Sequence, residues 1–256
     1  LLFVLFLFMG EFTVMKNSVK NAVIIGATSG IGKALAVIML ENGYKVGLTG
    51  RRTELLDELK TRYPEHVYVF AMDVKNGEDA VKGLEKLISD MGGMDLFVYS
   101  SGVGHVNPDL DYELEQETID VNVIGFVKLI VYAASYFIRQ KSGHIAGISS
   151  VAALRGSAEG PAYNASKAFM SNYLEALRIK MYKLGLPVTV TEIQPGLTDT
   201  AMAKGEGLFW VEPVEQVAME IFQALTKRKL RTTVTKRWGL IAFLIKWMPD
   251  WLYRRI

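Results

Sequence analysis

Seven short β-branched, apolar runs recur along the chain: 21–26 (NAVIIG), 45–49 (KVGLT), 67–72 (VYVFAM), 95–100 (DLFVYS), 144–149 (HIAGIS), 188–193 (VTVTEI) and 230–235 (LRTTVT). Each reads as nearly continuous apolar, the pattern of a strand covered on both faces. The segments between them carry helical spacing, as Ile31, Leu35, Ile38 and Met39 do. Alternation of this kind predicts an α/β fold, a doubly wound, Rossmann-type parallel sheet flanked by helices. No linker, repeat or low-complexity stretch divides residues 15–236, so they are read as one domain. Residues 1–14 are read as an extension and 237–256 as a tail.

The first run leads straight into Gly26-Ala27-Thr28-Ser29-Gly30-Ile31-Gly32 and then a helical pattern. Glycines let the backbone turn sharply and let a pyrophosphate approach the helix N-terminus, whose free N–H groups favour anions. Gly32-Lys33 echoes the end of a P-loop. That motif needs glycine at Ala27 and a hydroxyl at Ala34, so a dinucleotide fits better. Further on, Tyr163 and Lys167 stand four apart in PAYNASKAF, on one face of a helix. A nearby ammonium stabilises a phenolate, which makes the hydroxyl a usable general acid.

The Gly-x3-Gly-x-Gly loop, together with Ser150 thirteen residues before Tyr163 and the Y-x3-K pair, resembles the short-chain dehydrogenase/reductase family over nearly all of 20–235. The resemblance implies a catalytic set of Ser150, Tyr163, Lys167 and Asn122, the asparagine organising a proton-relay water with the lysine. It implies cofactor contacts from Gly26, Thr28, Ser29, Gly30, Ile31 and Gly32, and from Asp73-Val74 at the adenine. Gly102, Tyr163 and Lys167 would join them, with Pro195, Gly196, Leu197 and Thr200 seating the carboxamide. In the family an acid ending the second strand binds the ribose hydroxyls of NAD. Here Arg51 and Arg52 occupy that place, and arginine matches a 2′-phosphate, so NADP(H) is expected over NAD(H). One departure stands out: Tyr99-Ser100-Ser101-Gly102 replaces the common Asn-Asn-Ala-Gly, with serine for the asparagine that buttresses the sheet. The family commonly forms homodimers or homotetramers through two long helices, here near 113–140 and 161–184.

Substrate contacts are expected from Ser150, Tyr163 and the segment 201–213. There Leu208, Phe209 and Trp210 form an apolar lid, and Gly205 and Gly207 give it freedom to move. That composition points to a lipophilic carbonyl or alcohol. The net charge of +2 conceals an asymmetry: residues 227–256 carry nine Lys/Arg against Asp250 alone, a net +8. Trp238, Trp247 and Trp251 fall in that stretch, within an apolar run too short to span a bilayer. Aromatic rings with basic flanks suit peripheral contact with a membrane interface, and packing on the domain or on another subunit is the alternative. Nine apolar residues open the chain (LLFVLFLFM), and Met15 reads as the start of the compact domain. A truncated anchor or a segment buried against a partner is the other reading of 1–14. The absence of cysteine excludes disulfides, zinc fingers and thiolate catalysis, and fits a reducing, cytoplasmic setting. His66, His105 and His144 lack ligand spacing, so no metal site is expected. Nucleic acid is not expected, because the body is acidic and the tail lacks a recognition motif. The expected function is an NADP(H)-dependent oxidoreductase. A non-catalytic NADP(H) sensor, or a membrane-docking protein on the same fold, is the alternative.

Overall fold

The computed structural model describes residues 20–202 and 210–255. The expectations placed on residues 1–14, Met15, Gly205, Gly207, Leu208 and Phe209 lie outside the described residues. In chain order the strands are β1 (Asn21–Ile25), β2 (Lys45–Gly50), β3 (Val67–Ala71), β4 (Leu96–Tyr99), β5 (Gly143–Ile148), β6 (Val188–Pro195) and β7 (Arg231–Val234). They form one parallel sheet in the order β3-β2-β1-β4-β5-β6-β7. The order reverses between β1 and β4, where open α/β sheets gather their ligand-binding loops.

The helices are α1 (Gly30–Glu41), α2 (Asp57–Arg62), α3 (Gly77–Met91), α4 (Tyr112–Ile119), α5 (Phe126–Gln140), α6 (Pro161–Lys183), α7 (Val214–Thr226), α8 (Lys236–Trp247) and α9 (Asp250–Tyr253). Successive strand side chains point to opposite faces, and this divides the interior into two cores. Val23, Ile25, Phe97 and Tyr99 pack with α3, α5 and α6. Ala22, Ile24, Leu96 and Val98 pack with α1 and α7. This two-sided covering is why the strands read as unbroken apolar runs.

A π-helical turn over Asp120–Gly125 joins α4 to α5, so Tyr112–Gln140 runs as one helix of 29 residues with a hydropathy of 1.8 over its most apolar window. Length and composition alone would let it span a membrane. Its Phe126, Leu129, Ile130, Ala133 and Phe137 are instead fully buried against the sheet, which accounts for the apolarity as core packing.

Candidate active site

The glycines of the first loop each answer a separate steric demand. At Gly26 the chain turns with φ 84°, and its N–H and that of Ala27 both donate to Thr49 O at the end of β2. A Cβ on Gly26 would lie 2.6 Å from Ser101 Cα, and one on Gly32 only 2.1 Å from Gly26 O. The loops after β1 and β4 are therefore packed backbone to backbone, and α1 is pressed against the turn that precedes it. Gly30 has φ 56° and faces Thr200, whose methyl would sit 3.3 Å from an added Cβ. Ser29, at the N-cap of α1, makes no capping hydrogen bond and accepts one from Arg52 Nη2 at 3.4 Å. The first N–H groups of α1 thus carry no side-chain cap, as an anion-binding helix start requires.

Around this loop stand the other expected cofactor residues. Thr28 lies against Gly50, where a Cβ would meet its methyl at 2.4 Å. Arg51 and Arg52 follow Gly50, both exposed. Asp73, after β3, accepts from Lys75 N at 3.0 Å through its carboxylate. Val74 is buried against Gly125. Ile31 is half-buried in the first turn of α1. A dinucleotide fits these residues: a cradle that added Cβ atoms would fill, an uncapped helix start, and two exposed cations at the end of β2.

Ser150, two residues after β5, caps the 3-10 turn Val151–Leu154, its Oγ accepting from Ala152 N at 3.1 Å. Tyr163 lies in the first turn of α6, half-buried, and burial raises its pKa, with the nearby Ser150 hydroxyl opposing that rise in part. Lys167, one turn later, is buried and donates from Nζ to Ile148 O at 3.1 Å. Its ammonium lies 5.7 Å from the centre of the Tyr163 ring, and burial depresses its pKa to about 8.

Asn122 sits in the π-helical turn, fully buried. Its Oδ1 accepts from Val103 N at 2.9 Å, and its Nδ2 donates to Val103 O at 2.8 Å and to Ser166 Oγ at 3.0 Å. It therefore clamps the chain after β4 to α6. Gly102 lies between them, where a Cβ would be 3.3 Å from Lys167 Nζ and 3.4 Å from Asn122 Oδ1. Ser100 directs its Oγ toward Gly32 of α1 and donates its N–H to Ile25 O.

Beyond β6, Gly196 N donates to Val234 O at 2.8 Å, and Thr198 Oγ1 donates to Gly196 O at 3.2 Å. Glu212 N donates to Leu197 O, and Asp199 N to Glu212 O. Pro195 O approaches Ser150 Oγ at 3.5 Å. The Trp238 ring of α8 covers Gly196 so closely that a Cβ there would fall 2.0 Å from it, while its Nε1 donates to Trp210 O at 3.2 Å. Trp210 is itself exposed. The tail thus begins as a wall behind the segment assigned to the carboxamide.

Several contributors escaped the sequence reading. Gly104 underlies the Tyr163 ring, where a Cβ would lie 2.6 Å away. Asn164 holds the 151–157 segment through Ala152 O, Arg155 O and Ser157 Oγ. Glu115 accepts from Ala162 N at the start of α6. Glu192 is fully buried and accepts from Ser149 Oγ, Gln194 Nε2 and Arg231 Nε. Only the last had a signal in the sequence, a carboxylate in the middle of an apolar strand, which needs a buried partner.

Comparison with known proteins identifies the family. The short chain dehydrogenase family model matches residues 20–208. An uncharacterized oxidoreductase of Myxococcus xanthus is 33% identical over 190 residues, covering 72% of this chain and 74% of the relative. A short-chain dehydrogenase from Streptomyces avermitilis superposes with TM-score 0.78 at 24% identity, covering 91% of this chain and 92% of the other. The closed form of a serine dehydrogenase complexed with NADP+ superposes with TM-score 0.73 at 26% identity, over 83% and 92% of the two chains. The chain belongs to the short-chain dehydrogenase family and is an oxidoreductase of the type that acts between CH–OH and C=O groups with a nicotinamide cofactor.

Proposed function

We propose that the protein is an NADP(H)-dependent oxidoreductase that transfers a hydride between nicotinamide and a lipophilic carbonyl or secondary alcohol. The observation that carries this is the placement of Tyr163 in the first turn of α6 with Lys167 buried one helical turn beyond, its ammonium 5.7 Å from the Tyr163 ring centre. The cofactor would rest on the residue 26–32 loop, with Arg51 and Arg52 toward a 2′-phosphate and Pro195, Gly196, Leu197 and Thr200 toward the carboxamide. When bound, it supplies the hydride. In the reducing direction Ser150 Oγ holds the substrate oxygen and Tyr163 gives its hydroxyl proton to that oxygen. Lys167 holds the nicotinamide ribose and, once protonated, favours the phenolate left on Tyr163. Asn122 keeps the chain after β4 fixed against α6 while this happens.

The lipophilic substrate is supported by Met202, Trp210 and Val211, which are exposed on the described parts of the 201–213 segment. A homo-oligomer formed through α4–α5 and α6 is supported by their exposed Ile124, Val131, Phe169 and Ile179. The experiment is Tyr163→Phe, assayed with NADPH on a panel of lipophilic and small polar ketones. Turnover should fall roughly 10²- to 10⁴-fold, the usual weight of a general acid, with NADPH affinity by fluorescence titration unchanged. Undiminished turnover would overturn the assignment of Tyr163, and activity confined to small polar ketones would overturn the substrate class.

A further inference from the structure

A helix that is apolar on every side has to be covered on every side. α8 approaches that composition, with Lys236, Arg237 and Lys246 its only charged residues, yet among the described residues only one side of it is covered. Trp238 and Ala242 are buried against the domain, with Trp238 lying on Gly196. Leu240, Phe243, Leu244 and Trp247 point the other way, 53–69% exposed. At 100° per residue these four fall within one outward stripe, opposite the buried pair. Arg237 and Lys246, both exposed, fall on its two borders. The face continues past Pro249 into α9 through Trp251 and Leu252, with Arg254 and Arg255 beside them.

We infer that this outward face of α8 and α9 docks on an anionic lipid bilayer, with the four aliphatic and aromatic side chains of α8 and the Trp251 ring entering the interface and the four cations meeting phosphate headgroups. Charge selects this occupant. The one acid in the tail, Asp250, is already bound to Arg155 Nη2 at 2.6 Å, so Arg237, Lys246, Arg254 and Arg255 border the apolar stripe without an acid of the tail to offset them. A second copy laid on the same face would bring eight such cations together, whereas a bilayer rich in anionic lipid attracts each of them. Tryptophans at the C-terminal end of the stripe suit headgroup depth.

The docked face is also tied to the body. Arg155, five residues after Ser150, donates to Met248 O at 2.9 Å, and its guanidinium stacks 4.3 Å from the Tyr253 ring centre. Tyr253 Oη donates to Gly156 O. The helix that meets the bilayer therefore backs directly onto two segments flanking the proposed catalytic residues. Docking does not depend on the chemistry proposed above.

The test uses the full chain with sedimentation onto phosphatidylcholine vesicles, with and without phosphatidylglycerol. Wild type should co-sediment with the anionic vesicles only, less so as salt rises. Phe243→Asp with Trp247→Asp should weaken partitioning roughly a hundredfold while leaving the melting curve and turnover of a water-soluble carbonyl unchanged. Because other segments can also touch vesicles, brominated lipid reads the tail itself: it should quench tryptophan emission in wild type and much less in Trp247→Phe with Trp251→Phe. Equal quenching in both proteins, or undiminished binding of the double aspartate variant, would overturn the proposal. So would the absence of vesicle binding together with self-association that the double aspartate substitution abolishes, which would make the face an interface between copies. In each of these cases turnover of the soluble substrate still reports separately on the reductase reading.

Discussion

Lys167 carries its charge at a cost to the fold. Burial lowers its pKa from 10.5 to about 8, so below pH 8 the folded protein holds an ammonium that water would solvate better. The cost is full where both folded and unfolded forms are protonated, and it fades as pH rises from 8 toward 10.5, where the folded form has lost a proton that the unfolded form still holds. Lys167→Met should therefore be more stable than wild type at pH 7, by about 1–2 kcal/mol. The advantage should shrink above pH 8 in urea melts taken across that range, and turnover should be lost throughout. Arg51 and Arg52 permit a cleaner test of cofactor choice. Replacing both by alanine should raise the KM for NADPH roughly ten- to a hundredfold, since charge-assisted hydrogen bonds to phosphate are the ones removed. The KM for NADH should barely move. Equal effects on the two cofactors in initial-rate assays would place both arginines outside the phosphate site.

Single elements are positioned by contacts that close over very short distances. The π-helical turn at Asp120–Gly125 places Asn122 where both ends of its amide find partners, and π-turns of this kind recur at functional sites. The contact of α8 with the chain after β6 is sharper, because it allows no atom between Gly196 and the Trp238 ring. Gly196→Ala should force the ring away and destabilise the protein by about 1–3 kcal/mol, as overpacking usually does. The same substitution in a Trp238→Ala background should cost much less, because the clash is then gone; thermal melts of the four proteins in the cycle measure the coupling. Neither residue type announced this contact. The 195–200 segment was recognisable by its motif and α8 by its apolar run, but the two are about forty residues apart, and only the folded chain shows that one is seated on the other.

At the scale of the whole molecule, the sheet holds a buried histidine whose state depends on pH. His144 on β5 is bonded through Nε2 to Thr191 Oγ1, and the threonine hydroxyl donates onward to Lys229 O. The threonine's one hydrogen is thus committed, so Nε2 is the donor. Burial, with Arg228 and Lys20 nearby, lowers its pKa from 6.5 to about 4. As pH falls from 6.5 to 4 the unfolded chain takes up a proton that the folded one refuses, so stability drops, by roughly 2–3 kcal/mol from this group. His144→Gln should flatten that part of the stability–pH curve relative to wild type. An unchanged slope in chemical denaturation would mean that His144 is not the titrating group.

All seven strands were legible in the sequence because a sheet covered on both faces requires unbroken apolar runs, and even the edge strand β7, with Arg231 exposed, was marked by its β-branched residues. The glycine loop and the Tyr163–Lys167 pair were legible for a related reason: each is a local arrangement, and spacing along the chain fixes spacing in space. What only the tertiary structure decided is which distant groups meet. The clamp of Asn122 on Val103 and Ser166, the buried Glu192 beneath Ser149, and the division of α8 into a covered side and an open one all depend on contacts between elements 19 to 44 residues apart. Periodicity tells a chain which face of an element to bury; the packing of the whole sheet tells it against what.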